Sequence, residues 1–164
     1  ATAITNLEGR FSDRSMELEA RIARDASPRH VIEFARHLDR YAFSGLLDAD
    51  RTGRVRARAI ALYRDYLDEE PDDLFARIAV GRLLLRTGNE QGARDWLLAA
   101  RARHGPHPSL DNWLLEAHYA LGDYAAVRTL ARDIVGERTT ETDLDVLSAS
   151  ARMWAGLPAA GERA

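Results

Sequence analysis

The chain contains neither cysteine nor lysine. The first absence excludes disulfides and thiolate metal sites, although it leaves the compartment open. The second makes all 23 basic residues arginine, a bias that reads as GC-rich coding rather than recognition chemistry. No stretch approaches the roughly 18 apolar residues of a membrane span; the longest candidate, Ile78–Leu85, is broken by Gly81 and Arg82. The N-terminus, Ala1-Thr2-Ala3-Ile4-Thr5-Asn6, has no basic region and no apolar stretch, so no secretory leader is expected. It also lacks an initiator methionine, which makes an excised piece or a processed product the expectation and leaves open whether the parent protein is membrane-tethered. An excess of positive charge is missing too: a net −3 gives no electrostatic reason to expect nucleic acid or an anionic membrane as partner. Glycine-rich phosphate loops, nucleophile elbows and histidine-plus-carboxylate motifs are all missing, so neither catalysis nor a cofactor is expected.

What is present is enough for a core. With 46% hydrophobic and 30% charged residues over 164 positions, the chain suits one domain or a short repeat array and is too apolar for disorder. Glycine and proline fall between segments of helical periodicity. A first helix is expected over Ser12–Asp25. Ser27-Pro28 restarts a second, in which Val31, Phe34, Ala35, Leu38 and Phe43 recur at helical spacing before Ser44-Gly45. Leu47–Gly53 is polar and reads as a connection. Val55, Ala59, Leu62, Tyr63 and Tyr66 make the next helical face, stopped by Pro71. Leu74–Thr87, Ala93–Arg103, Leu110–Leu121 and Tyr124–Val135 follow, divided by Gly88-Asn89, Gly105-Pro106 and Gly122-Asp123. Thr140-x-x-Asp143 resembles a capping box that opens a last helix running to Gly156. The expected fold is therefore all-α, with about eight helices joined as antiparallel hairpins.

Self-similarity organises these helices. Gly88, Gly122 and Gly156 each close a helix and are spaced by 34 residues, and Gly88-Asn89 matches Gly122-Asp123 as a turn dipeptide. In Asp72–Pro106 the pattern continues with Val80-Gly81, Leu84, then Ala93, Leu97 and Ala100. Here the chain resembles the tetratricopeptide repeat family, whose unit is a 34-residue helix–turn–helix. Pro108–Glu141 is a second copy, with Leu114, Val127, Ala131 and Ile134; it departs from the pattern where Leu115 replaces the small glycine and Ala131 the large aromatic. Upstream, Ala59, Tyr63 and Pro71 fit a second helix, while Asp48 and Asp50 fall where an apolar helix end belongs. The resemblance covers about Val31–Gly156. It implies hairpins stacked as a right-handed superhelix, with residues 1–27 an N-terminal extension carrying one capping helix, 28–157 the repeat domain and 158–164 a disordered tail.

A stack of this kind lines a concave surface with its first helices. Counting away from the buried positions places Phe75, Ile78, Arg82, Leu85 and Arg86 there from one repeat, Asn112, Glu116 and Tyr119 from the next, and Val146, Ser150 and Met153 from the last. The expected function is a non-catalytic module that binds a partner protein or peptide in this groove through Phe75, Ile78, Arg82, Arg86, Asn112, Glu116, Tyr119 and Met153. Family members that grip a C-terminal carboxylate use lysine, asparagine and arginine at fixed positions. Ile78 and Arg82 stand at two of them, so chaperone-tail binding is not expected. The alternative is a scaffold subunit of a larger, membrane-associated bacterial complex, self-assembling through Val146, Met153 and Trp154.

The remaining polar clusters have plainer readings. His30 and His37 lie two turns apart, but no third metal ligand is evident, and no metal is expected. His118 stands where the family has a core-facing aromatic, and a partly buried imidazole there would make an interface pH-sensitive. The run Arg51, Arg54, Arg56, Arg58 and Arg64 is followed at once by Asp65, Asp68, Glu69, Glu70, Asp72 and Asp73, which argues for a solvated, ion-paired face rather than a nucleic-acid patch.

Overall fold

The computed structural model describes residues 2–137. Among them are seven helices: α1 (Thr2–Arg24), α2 (Pro28–Ala42), α3 (Ala49–Glu69), α4 (Leu74–Arg86), α5 (Glu90–His104), α6 (Pro108–Ala120) and α7 (Tyr124–Glu137). No strand occurs among the described residues, so this part of the chain is all-α. The expected helix after Thr140, with Gly156, lies outside them. No described helix is long and apolar enough to cross a membrane. The chain divides into two compact units between Leu83 and Leu84, within α4.

In the first unit, α1 runs antiparallel to α2. Phe11 stacks flat on both His37 and Tyr41, the Ser15 hydroxyl is 3.2 Å from His37 Nε2, and further along Arg14 and Arg21 both reach Glu33. As the numbers rise on α1 they fall on α2. Helix α1 begins ten residues before Ser12, the expected start. Gly9 is the one conformational breaker in that stretch, and a single exposed helical glycine costs only about 1 kcal/mol, too little to end a helix. Helices α2 and α3 are also antiparallel: Phe43 faces Arg56, and Asp39, one turn earlier, meets Tyr63, two turns later. Their seam buries Val31, Phe34, Ala35 and Leu38 from α2 and Ala59, Leu62, Tyr63 and Leu67 from α3, with Leu18 of α1 sealed in the same unit.

The polar stretch 47–53 is not a connection, because α3 starts inside it. Asp48 is its N-cap: the carboxylate accepts the Arg51 amide at 2.8 Å, and the Asp48 carbonyl accepts Thr52 N–H at 2.9 Å. Asp50 sits in the first turn, where the helix dipole favours an anion, and pairs with Arg54. The two aspartates are thus the start signal itself, on a turn that stands in solvent and needs no apolar face.

The second unit contains two matching bends. At Gly88 (φ +77°) the Asn89 N–H donates to the Leu84 carbonyl at 3.0 Å; at Gly122 (φ +72°) the Asp123 N–H donates to the His118 carbonyl at 3.0 Å. Both glycine amides bond back three residues, to Leu85 at 3.1 Å and Tyr119 at 2.9 Å. These left-handed terminations satisfy otherwise orphaned carbonyls and turn the chain at once. Each following residue then caps the next helix, Asn89 accepting from Gly92 at 3.0 Å and Asp123 from Ala126 at 3.1 Å. The equivalence carries into the interior: Ala93, Leu97 and Ala100 of α5 are fully buried, as are Val127, Ala131 and Ile134 of α7, each 34 positions on. Leu110, Leu114, Leu115 and Ala117 complete this core from α6. Between α5 and α6, Gly105 (φ +78°) and Pro108 redirect the chain, and Arg101 donates to the buried Asp111 carboxylate at 2.9 Å.

Candidate binding site

The first unit carries a cleft of about 480 Å³ lined by Arg36, Asp39, Arg40, Phe43, Tyr63 and Arg82. Helical spacing explains why α2 and its C-cap supply most of it: residues 36, 39, 40 and 43 follow the i, i+3, i+4, i+7 pattern of one helical face. Asp39 is the anchor. It is 94% shielded from solvent, yet it sits among charged residues rather than in the apolar seam. Its Oδ2 accepts the Tyr63 hydroxyl at 3.1 Å and also the Arg82 guanidinium. Its Oδ1 and the Arg82 Nε–H are buried and make no hydrogen bond within the described structure. Burial pushes the Asp39 carboxyl above its ordinary value, outweighing the opposing pull of Arg82 and Tyr63. The Tyr63 phenol is raised as well, by burial first and then by the neighbouring carboxylate, which keeps it a proton donor.

Arg82 is held from a second side. Its guanidinium carbon lies 4.6 Å from the centroid of the Phe43 ring, and Arg56 approaches the same ring at 5.9 Å. Phe43 nonetheless remains 43% exposed, a large apolar surface left at the cleft edge. Arg36 and Arg40 are exposed, one turn apart, and neither forms an ion pair with any described carboxylate. The cleft therefore holds three guanidinium groups against one carboxylate.

The second unit presents a separate polar–aromatic face. Arg86 lies 3.7 Å from the Glu116 carboxylate and 5.7 Å from the Trp113 ring centroid. Tyr119 and Tyr124 meet edge to face at 5.6 Å, and both are about half exposed. These contacts join α6 to the end of α4 and the start of α7.

The residues expected to line a groove are distributed as follows. Arg82 is in the cleft of the first unit; Arg86, Glu116 and Tyr119 belong to the face of the second, and Asn112 is half-buried on the same helix as the last two. Phe75 is 66% exposed on α4. Ile78 is packed into the core and offers no surface to a partner. Met153, and with it Val146, Ser150 and Trp154, lies outside the described residues. Sequence reasoning missed Arg36, Asp39, Arg40, Phe43 and Tyr63 as site residues. An acid on the buried side of α2 was the available signal, because an ionisable group in a seam requires a partner.

Three of the five histidines are engaged by their neighbours. His30 bonds within the turn at Asp25 and Ser27, His37 lies under Phe11, and His107 Nδ1 accepts the Ser109 amide at 3.3 Å. No three potential metal ligands converge among the described residues. The arginines at the start of α3 pair upstream, Arg51 with Asp48 and Arg54 with Asp50, rather than with the acids that follow them. Neither a protein-family model nor a curated protein matches the chain.

Proposed function

We propose that the chain is a tetratricopeptide-type repeat domain, a right-handed stack of helical hairpins, that acts as a non-catalytic module holding a segment of a partner protein. The repeat reading is supported by the two bends at Gly88 and Gly122, which share a residue spacing, a backbone conformation and a hydrogen-bond pattern. The binding reading is carried by one observation: Arg82 is fixed by a buried carboxylate and an aromatic ring at the edge of an open cleft, with Phe43 still exposed beside it. Arginine and aromatic side chains held in place before binding are what partner-binding surfaces favour, because little side-chain entropy is lost when the partner arrives.

Site-specific photo-crosslinking in cells that make the protein tests this. A photoreactive phenylalanine analogue at position 43 is expected to give a discrete adduct whose partner peptide is identified by mass spectrometry. The same analogue at position 58, exposed on α3 and outside the cleft, is expected to give none. Identical adducts from both positions, or none from position 43, would overturn the assignment.

A further inference from the structure

The charge arrangement in the first-unit cleft specifies what kind of segment it holds. We infer that the cleft of Arg36, Asp39, Arg40, Phe43 and Arg82 binds an acidic peptide segment of a partner, with Arg36 and Arg40 each taking a carboxylate and Phe43 packing an adjacent apolar side chain. This rests on the reading of the chain as a partner-binding module. Three guanidinium groups line the cleft, but they are not equivalent. Arg82 is already neutralised by the buried Asp39 and immobilised on Phe43, so it forms a wall. Arg36 and Arg40 have no described ion-pair partner, project from adjacent turns of α2, and are the two cations left to recognise something.

Their spacing favours two separate monoanions over one dianion. Side chains at i and i+4 have Cβ atoms roughly 5–6 Å apart, and two forked guanidinium groups at that distance suit two carboxylates from neighbouring residues of an extended or helical segment. A single phosphoryl group would need both cations to converge on one point. The rest of the molecule sharpens the point. A chain of net −3 repels an acidic peptide at long range, so affinity for one must come from local, directed contacts.

The test is fluorescence anisotropy on the whole chain with two fluorescein-labelled probes. One is a short peptide with a run of Asp and Glu beside a leucine; the other replaces every acid by its amide. The acidic probe is expected to bind about tenfold tighter, the equivalent of two exposed ion pairs, and to weaken as salt rises. The double variant Arg36→Gln, Arg40→Gln is expected to abolish that preference, while Arg58→Gln, equal in kind of charge change but outside the cleft, leaves it intact. Both positions are exposed, and glutamine is as good a helix former as arginine, so the double variant keeps its fold, as far-UV circular dichroism will verify. Equal binding of the two probes, or loss of the preference in Arg58→Gln alone, overturns the acidic assignment. So does absence of binding by either probe. In each case the photo-crosslinking result at position 43 still decides separately whether the cleft holds a partner.

Discussion

Asp39 shows how a single buried carboxylate sets both local stability and local chemistry. Asp39→Ala leaves the Tyr63 hydroxyl and the Arg82 guanidinium without their acceptor and is expected to cost about 2–3 kcal/mol in urea unfolding. Asp39→Asn retains one acceptor oxygen and removes the buried charge, so its loss is smaller. The pH dependence separates the two further. Because the folded-state pKa of Asp39 is raised above 3.8, its contribution to stability is complete below the unfolded value and is lost as pH rises through the folded one. The amide variant does not titrate. Its stability relative to the parent chain is therefore expected to improve between acid and neutral pH, and parallel urea melts will read this directly.

His118 and His37 work in the opposite direction. Burial lowers both below the usual 6.5, and for His118 it prevails over the favourable charge of Asp123, whose carboxylate is 3.6 Å from Nδ1. The stability they contribute is present above that value and is lost as pH falls through their folded pKa values. His118→Leu is expected to flatten the acid side of a plot of thermal midpoint against pH, and the slope that remains comes from His37 together with the carboxylates. The burial of an imidazole at position 118 is what the repeat resemblance implied, since the family has a core-facing aromatic there. The pairing of Asp39 with Arg82 is not visible in the sequence, because 43 residues separate them and periodicity reports only which face a residue occupies.

At the scale of the element, the bends and caps carry the most information. Gly88 and Gly122 adopt a left-handed backbone, and a Cβ at either would meet nothing within 4 Å. Substitution is therefore penalised by backbone conformation alone. Gly88→Ala and Gly122→Ala are each expected to destabilise by about 1–2 kcal/mol. Gly53 is the contrast, since it lies inside α3 with open space around it and ordinary helical geometry. Gly53→Ala is expected to stabilise by about 0.5–1 kcal/mol, and the three variants compared in one denaturant series test the assignment of all three positions. Most of this was readable in advance, because a glycine followed by Asn or Asp and then an apolar periodicity has few alternatives. The start of α3 was not, because aspartates that cap a helix have the same composition as aspartates in a loop. Only the hydrogen bond from the Arg51 amide distinguishes them.

For the whole molecule, charge has consequences that no single pair determines. The basic residues are all arginine and keep their protons at any pH relevant to folding, so the net charge between acid and neutral pH is set by carboxylates and histidines. From −3 at pH 7 it falls to zero near the isoelectric point of about 6.0. Self-association measured by light scattering is expected to peak there and to recede on either side. The all-helical class was legible because sparse, regularly placed glycines left room for nothing longer than a hairpin. The cleft was legible only in part. Arg82 could be placed on an open face by counting, whereas its partners come from α2 and α3 and are brought to it by the packing of the first unit.

The matching bends have one more consequence. The backbone enters residue 89 and leaves residue 122 through the same hydrogen-bonded joint, so the stretch between them is a cassette with identical ends. Doubling it would present each neighbouring helix with the junction it already has. Growth by tandem duplication then requires no new kind of corner, only another copy of one that the chain has already made twice.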